Sequence, residues 1–392
     1  MVFREGFKMP ELPDRPELRQ PSAAPDRMAT RFPESALSRR SLLGHGLGAA
    51  ATAAALPMSG NSALAAPKPD GARTVRPTID VHHHILPDFF WRETNESDNP
   101  VGGIKPPAWS KELMLSFMDE AGIDIAITSI STPGVHVGDD RRARSLARRV
   151  NEFAAKLIQE HPNRLGAFAC LPLPDVDGAL EELRYALDEL NLDGALVFSN
   201  ARGIYLGDER FVPLLDELER RRAVVFVHPN MSPDPTAHKL GLPDSLIDFT
   251  ADTTRAVAQM HYLNRFARTP NVNYFFAHAG GTIPYLAGRF RIVDDMNVIP
   301  EAEVRGTAAE TFRRLHWDTA LAWRDPVLEM LRATVGLDQV LFGTDHPYIR
   351  RDLALAGAND LRRSAALNDA ECKAILGANA LRLFPRLAAL QR

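Results

Sequence analysis

From residue 76 onward the chain repeats one unit, a short apolar run followed by a longer stretch. The runs are Thr78 to His82, Ile125 to Ser131, Leu165 to Leu171, Gly194 to Ser199, Ala223 to His228, Val272 to His278, Leu315 to Thr319 and Gln339 to Thr344. They are rich in β-branched and aromatic residues and nearly continuous in apolar character, as strands buried on both faces are. Five of the gaps carry clear amphipathic segments: Glu112 to Ala121, Arg141 to Glu160, Gly178 to Leu190, Phe211 to Arg221 and Asp325 to Val335. In the second of these, Leu146, Val150, Phe153, Leu157 and Ile158 share one face at helical spacing. Buried strands separated by helices imply a parallel sheet covered on both sides. Eight units within residues 76–392 fit an α/β closed (β/α)₈ TIM barrel better than an open doubly wound sheet. No G-x-G-x-x-G follows the first run, which argues against a dinucleotide fold.

Residues 1–75 are different material. Residues 1–37 are rich in Pro, Arg and Glu without period. Ser38-Arg39-Arg40-Ser41-Leu42-Leu43 then precedes an Ala- and Gly-rich apolar run to Leu56, the small-residue site Ala63-Leu64-Ala65 and a Pro-containing linker. A twin arginine, a weakly hydrophobic core and an A-x-A site predict a bacterial twin-arginine export signal, hence a periplasmic or secreted protein. Met28 is an alternative start that leaves a short leader before the arginines. The run is too short and Gly-rich to span a membrane, so no span is expected in the mature form. A net charge of −4 offers no field for nucleic acid or a membrane surface. Two cysteines, Cys170 and Cys372, without paired spacing read as buried free thiols.

A (β/α)₈ barrel does its chemistry where strands end at the C-terminal face. Four of the eight runs end in His or Asp: Asp80-Val81-His82-His83-His84, Val227-His228-Pro229, Ala277-His278-Ala279-Gly280-Gly281 and Gly343-Thr344-Asp345-His346-Pro347. Twelve histidines scattered by chance would rarely fall so. Strand parity sends His82 and His84 into the mouth together and His83 outward. His82, His84 and His228 with the Asp345 carboxylate make a compact N₃O set for one divalent ion, Zn²⁺ foremost, with Mn²⁺ as the second choice and Fe²⁺ and Co²⁺ also suited. For His278 the residues allow a general acid/base, a further ligand or a core histidine, and the following Gly pair favours a group facing substrate. The fourth run ends Phe198-Ser199-Asn200 with no lysine to bridge a second metal, which points to a mononuclear site. His316 and Asp318 lie on the seventh strand, with Asp318 the better candidate to line the mouth. His346 reads as a supporting residue pointing away, and His136, His161, His238 and His261 as loop or helix residues without a role. Met231 to Thr250, with three prolines, reads as a long loop over the site.

Taken together, these motifs over residues 77–386 resemble the amidohydrolase superfamily, in the branch that contains aminocarboxymuconate-semialdehyde decarboxylase and the 6-methylsalicylate and resorcylate decarboxylases. The resemblance implies that His82, His84, His228 and Asp345 hold one metal, that His278 handles the proton, and that Arg289 binds a substrate carboxylate, in some members across a homodimer interface. It implies non-oxidative decarboxylation of a small aromatic or muconate-like carboxylic acid. A planar acid needs an apolar slot, for which Phe89, Trp109, Phe198 and Tyr348 are candidates, Phe89 and Trp109 foremost. The same ligands also suit a hydrolase of a lactone, ester or amide, and a barrel without catalysis would be an exported binding protein.

Overall fold

The computed structural model describes residues 76–94, 107–231, 242–299 and 304–389. Residues 1–75, where an export signal is expected, lie outside these residues, and the barrel falls within the compact unit Gly71–Arg392. Eight parallel strands form the sheet: β1 (Ile79–His84), β2 (Ile125–Ser129), β3 (Leu165–Cys170), β4 (Gly194–Phe198), β5 (Val224–His228), β6 (Asn273–Phe276), β7 (His316–Asp318) and β8 (Val340–Leu341). They pair in chain order. The circuit returns to β1 through the Val81 and Asp345 amides, which donate to the Phe342 and His82 carbonyls at 2.9 Å, and through a parallel bridge between His83 and His346. All eight expected runs are therefore strands of one barrel.

The expected helices form, with small shifts of boundary. They are Lys111–Ala121, Asp140–Glu160, Val176–Arg184 with a π-helical turn to Glu189, Val212–Arg221 and Asp325–Thr334. Asp140–Glu160 is representative. Asp139 caps it by accepting from the Arg142 amide at 2.7 Å, and Leu146, Val150 and Leu157 are buried against the sheet while the arginines face out. Three further helices, Asp248–Tyr262, Ile283–Asp295 and Arg351–Arg362, complete the outer layer. The presumed loop after β5 is helical from Asp248, and its residues 232–241 lie outside those described. Cys170 is buried, whereas Cys372 is only half-buried, and both are free thiols. Among the described residues no helix is long and apolar enough to cross a membrane.

Candidate metal centre and active site

The C-terminal strand ends bring four donor side chains together. One ligand atom from each of His82, His84, His228 and Asp345 lies within 4.8 Å of the others, and all four residues are buried. His82 Nε2 is 3.1 Å from His84 Nε2, and Asp345 Oδ1 is 3.1 Å from His84 Nε2 and 3.4 Å from His82 Nε2. Bonds of about 2.0–2.1 Å to one tetrahedral ion hold neighbouring donors roughly 3.3 Å apart, so the spacing suits a single cation.

The other ring nitrogens are occupied in the sense this requires. His82 Nδ1 lies 2.7 Å from Asp318 Oδ2, and His228 Nδ1 lies 2.8 Å from the Pro229 carbonyl. His84 Nδ1 has the Ser129 carbonyl at 3.4 Å and hydroxyl at 3.2 Å. Protons on the three Nδ1 atoms leave the Nε2 lone pairs aimed at one point, the arrangement that metal-bound imidazoles need. Burial pushes His228 and His84 down, so both stay neutral. Burial is also the largest influence on His82 and pulls it down, but Asp318 and Asp345 together outweigh it and raise it to about 10. Two carboxylates around one imidazole thus create a local demand for positive charge. Burial works against the Asp345 carboxylate, yet the imidazoles of His278, His82 and His84 around it hold it well below the usual range.

Asp318 is the part of this centre that the sequence valued least. Besides His82, its other oxygen accepts from the His278 amide at 2.8 Å and the Ala320 amide at 3.0 Å. One carboxylate on β7 therefore orients a donor on β1 and the backbone after β6. His278 itself stands beside the quartet, with Nε2 3.5 Å from Asp345 Oδ2 and its ring 5.0 Å from that of His82. His278 and Asp345 both adopt left-handed backbone, φ 55° and 60°, which non-glycine residues rarely do and which here turns their side chains inward. Gly280, at φ 74°, allows this turn, because a Cβ there would run into the Trp317 ring.

His83 faces outward as parity requires, with Nδ1 2.8 Å from Asp80 and its ring 4.9 Å from His346. His346 also points away and stacks on Phe117 at 3.9 Å.

The quartet opens into a cavity of about 670 Å³. Its walls include Leu246, Phe249, Leu321, Ile349 and Tyr348, with His228, His278 and Asp345 at the metal end. Four sequence candidates, Phe89, Trp109, Arg289 and Phe198, do not line it. Phe89 lies under the Arg149 guanidinium at 4.5 Å and against Phe153 at 5.9 Å, because its helix turns outward after β1. Trp109 meets the same Phe153 at 5.9 Å. Arg289 is exposed on the outer side of Ile283–Asp295, so within one protomer it does not reach the site. Among the described residues the cation that lines the cavity is Arg350, already clasped by Asp352 at 2.6 and 2.7 Å. Phe198 borders a separate cavity of about 290 Å³, its ring 5.9 Å from His228. Of the proposed slot residues only Tyr348 is in place.

Residues 79–386 match the family model described as Amidohydrolase. The chain belongs to this family. A 6-methylsalicylic acid decarboxylase of Aspergillus aculeatus is 37% identical over 322 residues, covering 79% of this chain and 96% of that protein. A gamma-resorcylate decarboxylase of a Rhizobium species is 29% identical, covering 78% and 94%. The solved 2,6-dihydroxybenzoate decarboxylase from Rhizobium superposes with a TM-score of 0.69 at 25% identity, covering 79% of this chain and 99% of that one. A second amidohydrolase structure gives 0.72 at 28% identity, covering 78% and 99%. These members share the barrel, and the His/Asp metal site of this chain lies at the face where such barrels place their chemistry.

Proposed function

We propose that this protein is a metal-dependent, non-oxidative decarboxylase of an aromatic carboxylic acid, a carbon–carbon lyase. The observation that carries the reading is a three-histidine, one-aspartate centre opening into an apolar cavity, with a further imidazole, His278, in its wall. The related decarboxylases, with nearly full-length coverage, support this chemistry over hydrolysis. A divalent cation held by His82, His84, His228 and Asp345, Zn²⁺ by preference for the N₃O set and Mn²⁺ second, supplies positive charge for the substrate's oxygens when bound.

The chain's own residues do the rest. Leu246, Phe249, Leu321 and Ile349 receive a planar ring and displace water from it. His278 holds a proton beside Asp345 and delivers it to the ring carbon bearing the carboxylate. The carbon–carbon bond then breaks, its electron pair returns to the ring, CO₂ leaves, and water reprotonates His278. Asp345 serves both as ligand and as the partner that orients His278.

The test uses metal-loaded protein with 2-hydroxy-6-methylbenzoate and 2,6-dihydroxybenzoate. The expected result is CO₂ release, with His278→Asn slower by about 10²–10⁴-fold at unchanged metal content. Lactone hydrolysis with no CO₂ from any benzoate would overturn it.

Two wider proposals accompany this one. Tyr285 and Met296 are 77% and 68% exposed on and beside the helix that carries Arg289, and such a surface suits a homodimer that places Arg289 near a partner's site. Equilibrium sedimentation checks it. Export by the twin-arginine route is read from Arg39 and Arg40 and is checked by cell fractionation.

A further inference from the structure

An aromatic ring held by Leu246, Phe249, Leu321 and Ile349 leaves Ala322 and Val327 in the cavity lining without a task. The metal donors sit at strand ends, in the inner ring of the barrel, whereas Val327 stands in the first turn of the helix Asp325–Thr334, in the outer layer. The cavity therefore runs outward from the metal end, past the turn after β7, to the helix layer. At about 670 Å³ it has the size that encloses a drug-sized ligand, and a single-ring acid is much smaller than that.

Leu321 stands where this extension passes the turn. Thr319 to Ala322 form a four-residue turn after β7, closed by the Ala322 amide, which donates to the Thr319 carbonyl at 2.9 Å, and braced by the Ala320 amide, which donates to Asp318 at 3.0 Å. Leu321 holds the third position at φ 57°, left-handed backbone that Gly or Asn adopts more readily. A leucine there strains the chain and, at 48% exposure, recovers little of that cost by burial. Leu246, from the segment after β5, is 61% exposed and lines the same cavity. Folding gains from neither side chain what an apolar ligand covering both would gain. The charged residue of this lining, Arg350, is paired with Asp352, so the lining suits an apolar group better than an anionic one.

We infer that the substrate carries an extended apolar chain, alkyl or alkenyl, on the ring edge remote from the oxygens that the metal centre takes, and that Leu321 and Val327 are specificity-determining residues for it. This rests on the decarboxylase reading. With the substrate's oxygens at the metal, the opposite ring edge faces outward, and a substituent there follows the cavity to Val327. Each methylene buried on the way is worth up to about fourfold in affinity, less what is lost by fixing its rotation.

The experiment measures Kd of metal-loaded full-length protein for 2-hydroxybenzoates carrying methyl, propyl or pentyl groups at ring position 4 or 5, beside CO₂ release from each. In the wild type Kd is expected to fall about two- to fourfold per methylene in at least one series. Leu321→Asn suits the left-handed turn, so melting temperature is expected to hold while the dependence on chain length flattens. Val327→Asp is expected to flatten it too, and the readout in both variants is the ratio of long to short acid, whatever happens to the short one. A wild-type Kd that stays level or rises with chain length in both series overturns the inference without recourse to any variant. So does a dependence that survives unchanged in both variants, because the chain then binds elsewhere. Failure of the decarboxylase reading appears differently, as binding without CO₂ from any of the acids, and the Kd series still decides whether the cavity takes the chain.

Discussion

At the scale of single residues, the site turns on Asp318 as much as on the ligands. It touches no metal donor position, but its Oδ2 fixes the His82 ring at 2.7 Å and its Oδ1 fixes the backbone of His278 at 2.8 Å. Such partners set which nitrogen of a ligand imidazole carries the proton and raise its basicity. Asp318→Asn keeps the shape and one acceptor oxygen but removes the charge. The expected outcome is a 10–100-fold weaker metal affinity in chelator competition, roughly the cost of losing such a partner. The barrel should stay folded, because an Asn of the same volume keeps the packing and its one carbonyl oxygen can still accept from the His278 and Ala320 amides, so that only the bond from His82 Nδ1 is lost. Affinity equal to wild type would mean that Asp318 only supports the loop after β6. The sequence offered a hint here, since Asp318 sits at a strand end, but nothing in spacing says which histidine a distant carboxylate will meet.

Elements decide how the ligands meet. His82 and His84 were legible because a strand alternates with period two, His228 because it ends a strand, and Asp345 because it follows an apolar run that is unmistakable. Phe89 and Trp109 were misplaced because nearness to β1 in sequence does not say which way the next helix turns, and Phe153 and Arg149 draw them outward. The cavity wall at Leu246 and Phe249 comes from the stretch read as a loop over the site, but which of its residues face inward was not legible, because a proline-punctuated stretch has no period to read. The helix Ile283–Asp295 escaped for the opposite reason, since Tyr285 and Ile292 leave its outer side partly apolar and blur the contrast. The turn after β6 gives the element-scale prediction. Gly280 is left-handed, at φ 74°, and packs on Trp317. Gly280→Ala puts a methyl group into the indole and strains the backbone, at a cost of about 1–3 kcal/mol. It also moves the peptide that carries His278. The variant is expected to lower kcat far more than it lowers melting temperature or metal content. Loss of stability with kcat intact would show that the turn serves packing alone.

For the whole molecule, the centre is also a fastening. Its ligands come from β1, β5 and the loop after β8, and β1 and β8 are the strands that meet where the barrel closes. At that seam Gly343 lies against His82, where a Cβ would come 2.7 Å from the His82 Cβ, so the closing strands are packed as tightly as the donors they carry. A cation bound to the folded state and not to the unfolded chain stabilises by RT ln(1 + [L]/Kd), about 2.7 kcal/mol at a hundredfold excess over Kd. In a barrel of this length each kcal/mol is worth roughly 2 °C or less. Removal of metal by a chelator should therefore lower Tm by a few degrees and restore it on adding Zn²⁺, with the size of the shift growing with metal concentration. Because the seam is tied by the same ion, hydrogen exchange should rise most in β1 and in the segment from Val340 to Tyr348, and least in β2 to β4, which carry no ligand. A uniform rise across all eight strands would mean that the ion stabilises the fold without closing it. Protection confined to β1, β5 and the β8 segment would identify the metal as the clasp of the barrel as well as the centre of its chemistry.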